Sequence, residues 1–180
     1  LGGHPEAGLK DLGSSVIGSG YDLQVWKGLA AAGQSKWPEA REKFKNAEFA
    51  IAALPDDLQR VVLATAMRAS LEVRDYAGAS ARSNDLDVIG IAPDRMPAIA
   101  VMRAELAEAM GRDKEALNLY RDVMASSDRP SAAEARLREI ALRQKRNEIG
   151  ADEALQGLET LAVTWRGGDI ELEILQQLAR

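Results

Sequence analysis

Four copies of one alanine-anchored pattern constrain this chain more than any other feature of its 180 residues. Ala40, Phe44 and Ala47 recur as Ala79, Ser83 and Leu86, then as Ala116, Tyr120 and Val123, then as Ala154, Leu158 and Leu161. The four alanines lie 39, 37 and 38 residues apart. Residues spaced by four and then three share one face of an α-helix, so each triplet marks a helix with a small residue at a close crossing and larger ones beyond it. One such helix is commonplace, but four at a near-constant period indicate a repeated supersecondary unit.

A second helical stretch precedes each triplet. Leu23, Trp26, Leu29 and Ala30 mark the first. Val62, Ala66, Ala69 and Val73 mark the second. Ile99, Met102, Leu106 and Met110 mark the third, and Leu137, Ile140 and Ala141 the fourth. All fit the helical period. The spacing predicts repeats over 21–55, 56–93, 94–130 and 131–166 within one domain, a trailing helix over 169–180, and a leading helix within 1–20 carried by Leu9, Leu12, Val16 and Ile17.

The punctuation agrees. Asp56 and Asp94, each after a proline, read as N-caps. Gly111 and Gly150 sit where first helices should reach their C-caps. Ser131 with Glu134 reads as a capping box after Pro130. Trp165 should staple a helix end, with Gly167 and Gly168 at positive φ and Asp169 capping the helix that follows. Good helix formers dominate, and aromatic residues make up only 4%.

These residues resemble the tetratricopeptide-repeat (TPR) pattern over most of 21–166. The small residue midway along the first helix is matched by Gly28 and Ala104, with Met67 and Leu142 at the other two positions. The turn glycine is matched by Gly111, the opening aromatic by Trp37 and Tyr76, and the following small residue by all four alanines. The period exceeds the 34 residues typical of that family, with the surplus near residues 52–55 and 89–93. The resemblance implies an all-α, right-handed α-α superhelix, a TPR-like solenoid of about four helix-turn-helix repeats plus flanking helices.

It also implies that the first helices line a groove. Aligned on the anchoring alanines, that groove takes Asp22, Val25, Leu29 and Ala32; then Val61, Ala64, Arg68 and Leu71; then Ala98, Val101, Glu105 and Glu108; then Arg136, Glu139, Arg143 and Arg146. The partner-binding residues it points to are Arg68, Glu105, Glu108, Arg136, Glu139, Arg143 and Arg146. An extended peptide with an acidic portion would suit the arginines, which grip carboxylates in bidentate fashion. Arg136, Arg138, Arg143, Lys145 and Arg146 form a basic stretch, and pairing with Glu134, Glu139 and other nearby acids is the competing role for them.

Other chemistry finds little footing in the sequence. The net charge of −5 argues against general nucleic-acid binding. The absence of Cys rules out disulfides and thiolate metal sites. No apolar run is long enough to span a bilayer. The single histidine, His4, supports neither a nucleophile-base pair nor a metal site. The carboxylate pairs Asp56/Asp57, Glu105/Glu108 and Glu171/Glu173 read as solvated helix faces.

The expectation is a non-catalytic scaffold without cofactors, binding a peptide or partner protein. The alternative is a spacer or self-association segment of a larger repeat protein, because a cut array exposes an apolar face at each end where a second copy can dock. The chain opens with Leu1 rather than Met, which reads as a fragment or processed form. A signal peptide could have been removed from it, and cytoplasm and periplasm suit the sequence equally.

Overall fold

The structure, a computed structural model, describes residues 20–179. The leading-helix expectation for 1–20, His4, and the side chain of Asp22 lie outside the described residues. Among those described, the chain is all-helical, with no strand. The helices are α1 (Tyr21–Ala32), α2 (Trp37–Lys45), α3 (Glu48–Ala52), α4 (Asp56–Glu72), α5 (Tyr76–Ile89), α6 (Met96–Ala109), α7 (Asp113–Met124), α8 (Arg129–Lys145), α9 (Ala151–Thr164) and α10 (Gly168–Leu178). They fall into two compact units, one ending at Ile91 and the other beginning at Ala92. Among the described residues, no helix is long and apolar enough to cross a membrane.

Both units are built the same way. In the first unit, α1 pairs with α2 and α4 with α5, and α4 lies against both α2 and α1. In the second, α6 pairs with α7 and α8 with α9. There α8 lies against both α7 and α6, and α10 against both α9 and α8. Every residue of the four sequence triplets is buried, from Ala40, Ala79 and Ala116 at 0% exposure to Ser83 at 8%. The period read from the sequence is therefore the period of the core.

One turn closes all four hairpins. Ser35, Arg74, Gly111 and Asn147 adopt φ of 55, 60, 75 and 56°. The next amide in each case, that of Lys36, Asp75, Arg112 or Glu148, donates back to the carbonyl of Ala31, Ser70, Ala107 or Arg143 at 2.8–2.9 Å. This is a Schellman motif, which satisfies the last carbonyls of the first helix. Gly111 takes the left-handed position as expected. Gly150 does not: it is the N-cap of α9, with φ −79°, and Asn147 turns the chain instead. Asn tolerates left-handed geometry because its short amide can bond locally.

Side-chain sizes compensate across the hairpins. A Cβ on Gly28 would come within 2.7 Å of the Phe44 ring, so only glycine admits that aromatic. Ala104 shares a cluster with Tyr120 in the third hairpin. In the second, the pairing of sizes reverses, with Met67 on the first helix and Ser83 on the second, both buried. In the fourth, Ile140 Cδ1 lies 2.9 Å from where a Cβ on Gly157 would sit. Close packing fixes the summed volume at each crossing and leaves the individual residues free to vary.

Several caps differ from expectation. The cap of α8 is Asp128, whose carboxylate accepts from the Ser131 amide at 3.1 Å, so Ser131 lies within the first turn. Asp56 is the first helical residue after Pro55, and α6 begins after Arg95, so neither Asp56 nor Asp94 caps by its side chain. Gly167 (φ 105°) and Gly168 (φ 68°) do take positive φ. Asp169, however, lies within α10, and Glu171 accepts from the Gly167 amide at 2.6 Å. Trp165 Nε1 donates to the Gly167 carbonyl at 3.0 Å, which ties the end of α9 to that turn.

The sequence surplus after α2 forms the short helix α3, whose Ile51 is 2% exposed. Asp75 links the two hairpins of the first unit. It caps α5 through the Gly78 amide at 3.0 Å and meets Arg41 of α2 at 2.7 Å. The Gly78 hydrogen bond, then Arg41, holds its carboxyl below the usual carboxylate pKa.

Candidate functional site

Helix α8 carries Arg136, Arg138, Arg143 and Lys145 of the basic stretch and presents four different arcs. Ala135 and Leu142 join the buried cluster of α6 and α7, while Ala133, Leu137 and Ile140 join that of α9 and α10. Charged residues occupy the two arcs between them, because a helix buried on two sides has only these left for solvent.

The first charged arc joins α6, α8 and α10. Arg138 Nη1 lies 2.9 Å from Glu173 on α10, and its Nε lies 3.7 Å from Glu105 on α6. Lys145 Nζ is 3.7 Å from Glu108, which also accepts a hydrogen bond from the Tyr120 hydroxyl at 3.3 Å. Burial pulls the Arg138 pKa down, but the carboxylates of Glu105, Glu173 and Glu134 together push it above its usual value. Arg138 is thus a permanently charged centre that ties three helices together.

The second charged arc faces α9. Glu139 is buried at 3% exposure, 2.8 Å from Arg136 and 3.6 Å from Arg143, and Arg143 reaches Glu153 on α9 at 3.3 Å. A shallow cleft of about 270 Å³ opens beside it, lined by Arg136, Gln156, Gly157 and Thr160 among others. Arg146, at the end of α8, bridges Asp113 of α7 at 2.9 Å and Glu148 at 2.6 Å.

The single groove expected from the alanine alignment is therefore divided. Glu105 and Glu108 lie together on the α6–α8–α10 arc, but their companions on α8 are Arg138 and Lys145. Arg136, Glu139 and Arg143 turn toward α9, and Arg146 stands at the hairpin end. Asn147 precedes Ala154 by seven residues, whereas Ser35, Arg74 and Gly111 each precede their alanines by five. A slip of two residues rotates a helical face by about 200°, nearly to the opposite side. Asn147, a residue suited to a left-handed turn three positions before Gly150, was the sequence signal for the slip.

Other expected groove positions also shift. Val25, Ala32 and Val101 are buried, at 1%, 7% and 0% exposure, and cannot meet a ligand. In the first unit Val61 is exposed and Arg68 is partly buried, with Glu72 at 3.8 Å. Comparison with family models, curated proteins and solved structures finds no match.

Proposed function

We propose that this chain is a TPR-like scaffold that binds a peptide or partner protein on the face that first helices make within a unit. The observation that carries this reading is the recurring stacking rule, in which α4, α8 and α10 each lie against both helices of the hairpin before them. That rule sets first helices side by side and leaves one arc of each available to a ligand. In the second unit the arc holds Glu105, Glu108, Arg138, Lys145 and Glu173, carboxylates and cations placed alternately across three helices. Lys145, with its side chain 66% exposed, can exchange its contact with Glu108 for one with a ligand at small net cost, because an exposed pair contributes little on its own.

The test is site-specific photo-crosslinking in the producing cell. A photoreactive residue at Lys145, whose side chain is 66% exposed, should give a discrete adduct. The same residue at Asn118, exposed on α7, should give none. Equal yields at both positions, or none at Lys145, would count against the scaffold role.

Self-association is a second reading, favoured by the exposure of Leu172 at 57% and Leu175 at 48%. A mass in light scattering that rises with concentration would support it.

A further inference from the structure

Phe49 and Val88, each 90% exposed, are the most exposed large apolar side chains among the described residues. A single exposed apolar residue is ordinary. These two, however, line one cleft of about 390 Å³, which lies wholly within the first unit. Its walls are α3, which carries Phe49, and α5, which carries Val88, and both helices lie against α4. The buried side chains of Ile51 and Leu63 give it an apolar lining.

The walls are tied in place by α4. Gln59 Nε2 donates to the Ile51 carbonyl at 3.1 Å, which holds α3. Arg60 donates from Nε to the Gly90 carbonyl at 2.7 Å and from Nη2 to the Ile89 carbonyl at 3.1 Å, which holds the end of α5. Arg82 of α5 reaches across to Glu48 of α3 at 3.0 Å and meets Asp85 of its own helix at 3.2 Å. A ligand therefore meets a preformed cleft and is spared the cost of ordering one.

The same ion pairs say what fits there. Glu48, Arg82 and Asp85 are the charged residues of the lining, two carboxylates against one guanidinium. The Arg82 side chain is 16% exposed and engaged by both carboxylates, whereas Glu48 and Asp85 are 57% and 47% exposed. The charge open to a ligand is thus negative. A second copy docking cleft to cleft would set carboxylate against carboxylate, which works against self-pairing. A segment with apolar side chains between Arg or Lys residues gains both the apolar contact and the charge.

We propose that the α3–α4–α5 cleft docks a segment of a partner protein in which apolar side chains are flanked by Arg or Lys. The apolar groups lie against Ile51 and Leu63 between Phe49 and Val88, and the cations meet Glu48 and Asp85. The cleft uses no residue of the arc that holds Lys145, so it stands or falls apart from the ligand face proposed above.

Three capped peptides serve as probes, Arg-Leu-Phe-Arg, Glu-Leu-Phe-Glu and Arg-Ala-Ala-Arg, each titrated into the whole ¹⁵N-labelled chain and followed by amide chemical shift. Arg-Leu-Phe-Arg should give saturable shifts centred on residues 48–52, 59–63 and 82–89. The other two should bind about tenfold more weakly, one for lack of charge complementarity and one for lack of an apolar anchor. F49S/V88S should weaken Arg-Leu-Phe-Arg by about tenfold or more. Both positions are too exposed to carry core packing, so the spectrum away from the cleft should stay as it is. E48Q/D85N should bring the affinities of Arg-Leu-Phe-Arg and Glu-Leu-Phe-Glu together.

No saturable shift, shifts centred away from the cleft, equal affinities of the unsubstituted chain for the Arg and Glu peptides, or an affinity untouched by either double variant would overturn the site. So would NOEs from the Phe49 ring to residues 1–19 in the free chain, which would assign the cleft to the chain's own leading segment. A concentration-dependent doubling of mass that F49S/V88S abolishes would overturn it as well, and would assign the cleft to a second copy.

Discussion

Replacing Tyr120 with Ala is expected to lower the unfolding free energy by about 3–5 kcal/mol, the range for emptying a buried aromatic site. Tyr120 is fully buried and lies in one cluster with Val101, Ala104 and Ala107 of α6, Ala116 and Val123 of α7, and Ala135 and Leu142 of α8. It therefore fills the junction where one hairpin receives the next. Burial, then the Glu105 and Glu108 carboxylates, raises its hydroxyl pKa, so the group stays protonated and donates to Glu108. Tyr120→Phe keeps the ring and gives up that hydrogen bond, at a cost of about 1 kcal/mol. Urea denaturation followed by circular dichroism separates the two variants. A Tyr120→Ala loss no larger than that of Tyr120→Phe would mean that the ring does not fill the junction.

Enlarging an anchor should damage the fold by the opposite route. Ala116→Leu adds three carbon atoms at a site with 0% exposure, between α7 and α6. Overpacking of this kind costs about 1–3 kcal/mol, because neither backbone can withdraw without losing its other contacts. Ala125→Leu, at an exposed position just past the end of α7, should change stability by no more than about 0.5 kcal/mol. Equal effects at Ala116 and Ala125 in the same denaturation assay would show that Ala116 is not at a helix crossing.

The core was legible in the sequence because burial imposes a period. The triplets and the hairpin pairing could be read from the spacing of apolar residues alone. The mismatches to the small-large rule, Met67 with Ser83 above all, find their reason only in three dimensions, where one side chain's bulk is balanced by its neighbour's lack of it. Caps were less legible because competing signals overlap: Asp128 and Ser131 both suit an N-cap, and Asp128 takes the position. The break of the second helix at Asn46 that creates α3 is marked by neither proline nor glycine.

Of the candidate site, the helix that carries the basic residues was legible, but the direction each side chain takes was not, because that direction depends on the length of the turn that follows it. Two extra residues between Asn147 and Ala154 moved Arg136 and Arg143 off the arc shared with Glu105 and brought Arg138 onto it. A period counted on one anchor locates a helix; its facing direction needs a second anchor at the turn.

The equivalence of the four hairpins is open to one direct measurement, a methyl-resolved NOE spectrum of the alanine-labelled chain. The methyls of Ala40, Ala79, Ala116 and Ala154 should each show cross-peaks to protons of the helix before them, α1, α4, α6 and α8 respectively. An anchor methyl with cross-peaks only within its own helix would contradict the repeated hairpin, and with it the face on which a partner is proposed to bind.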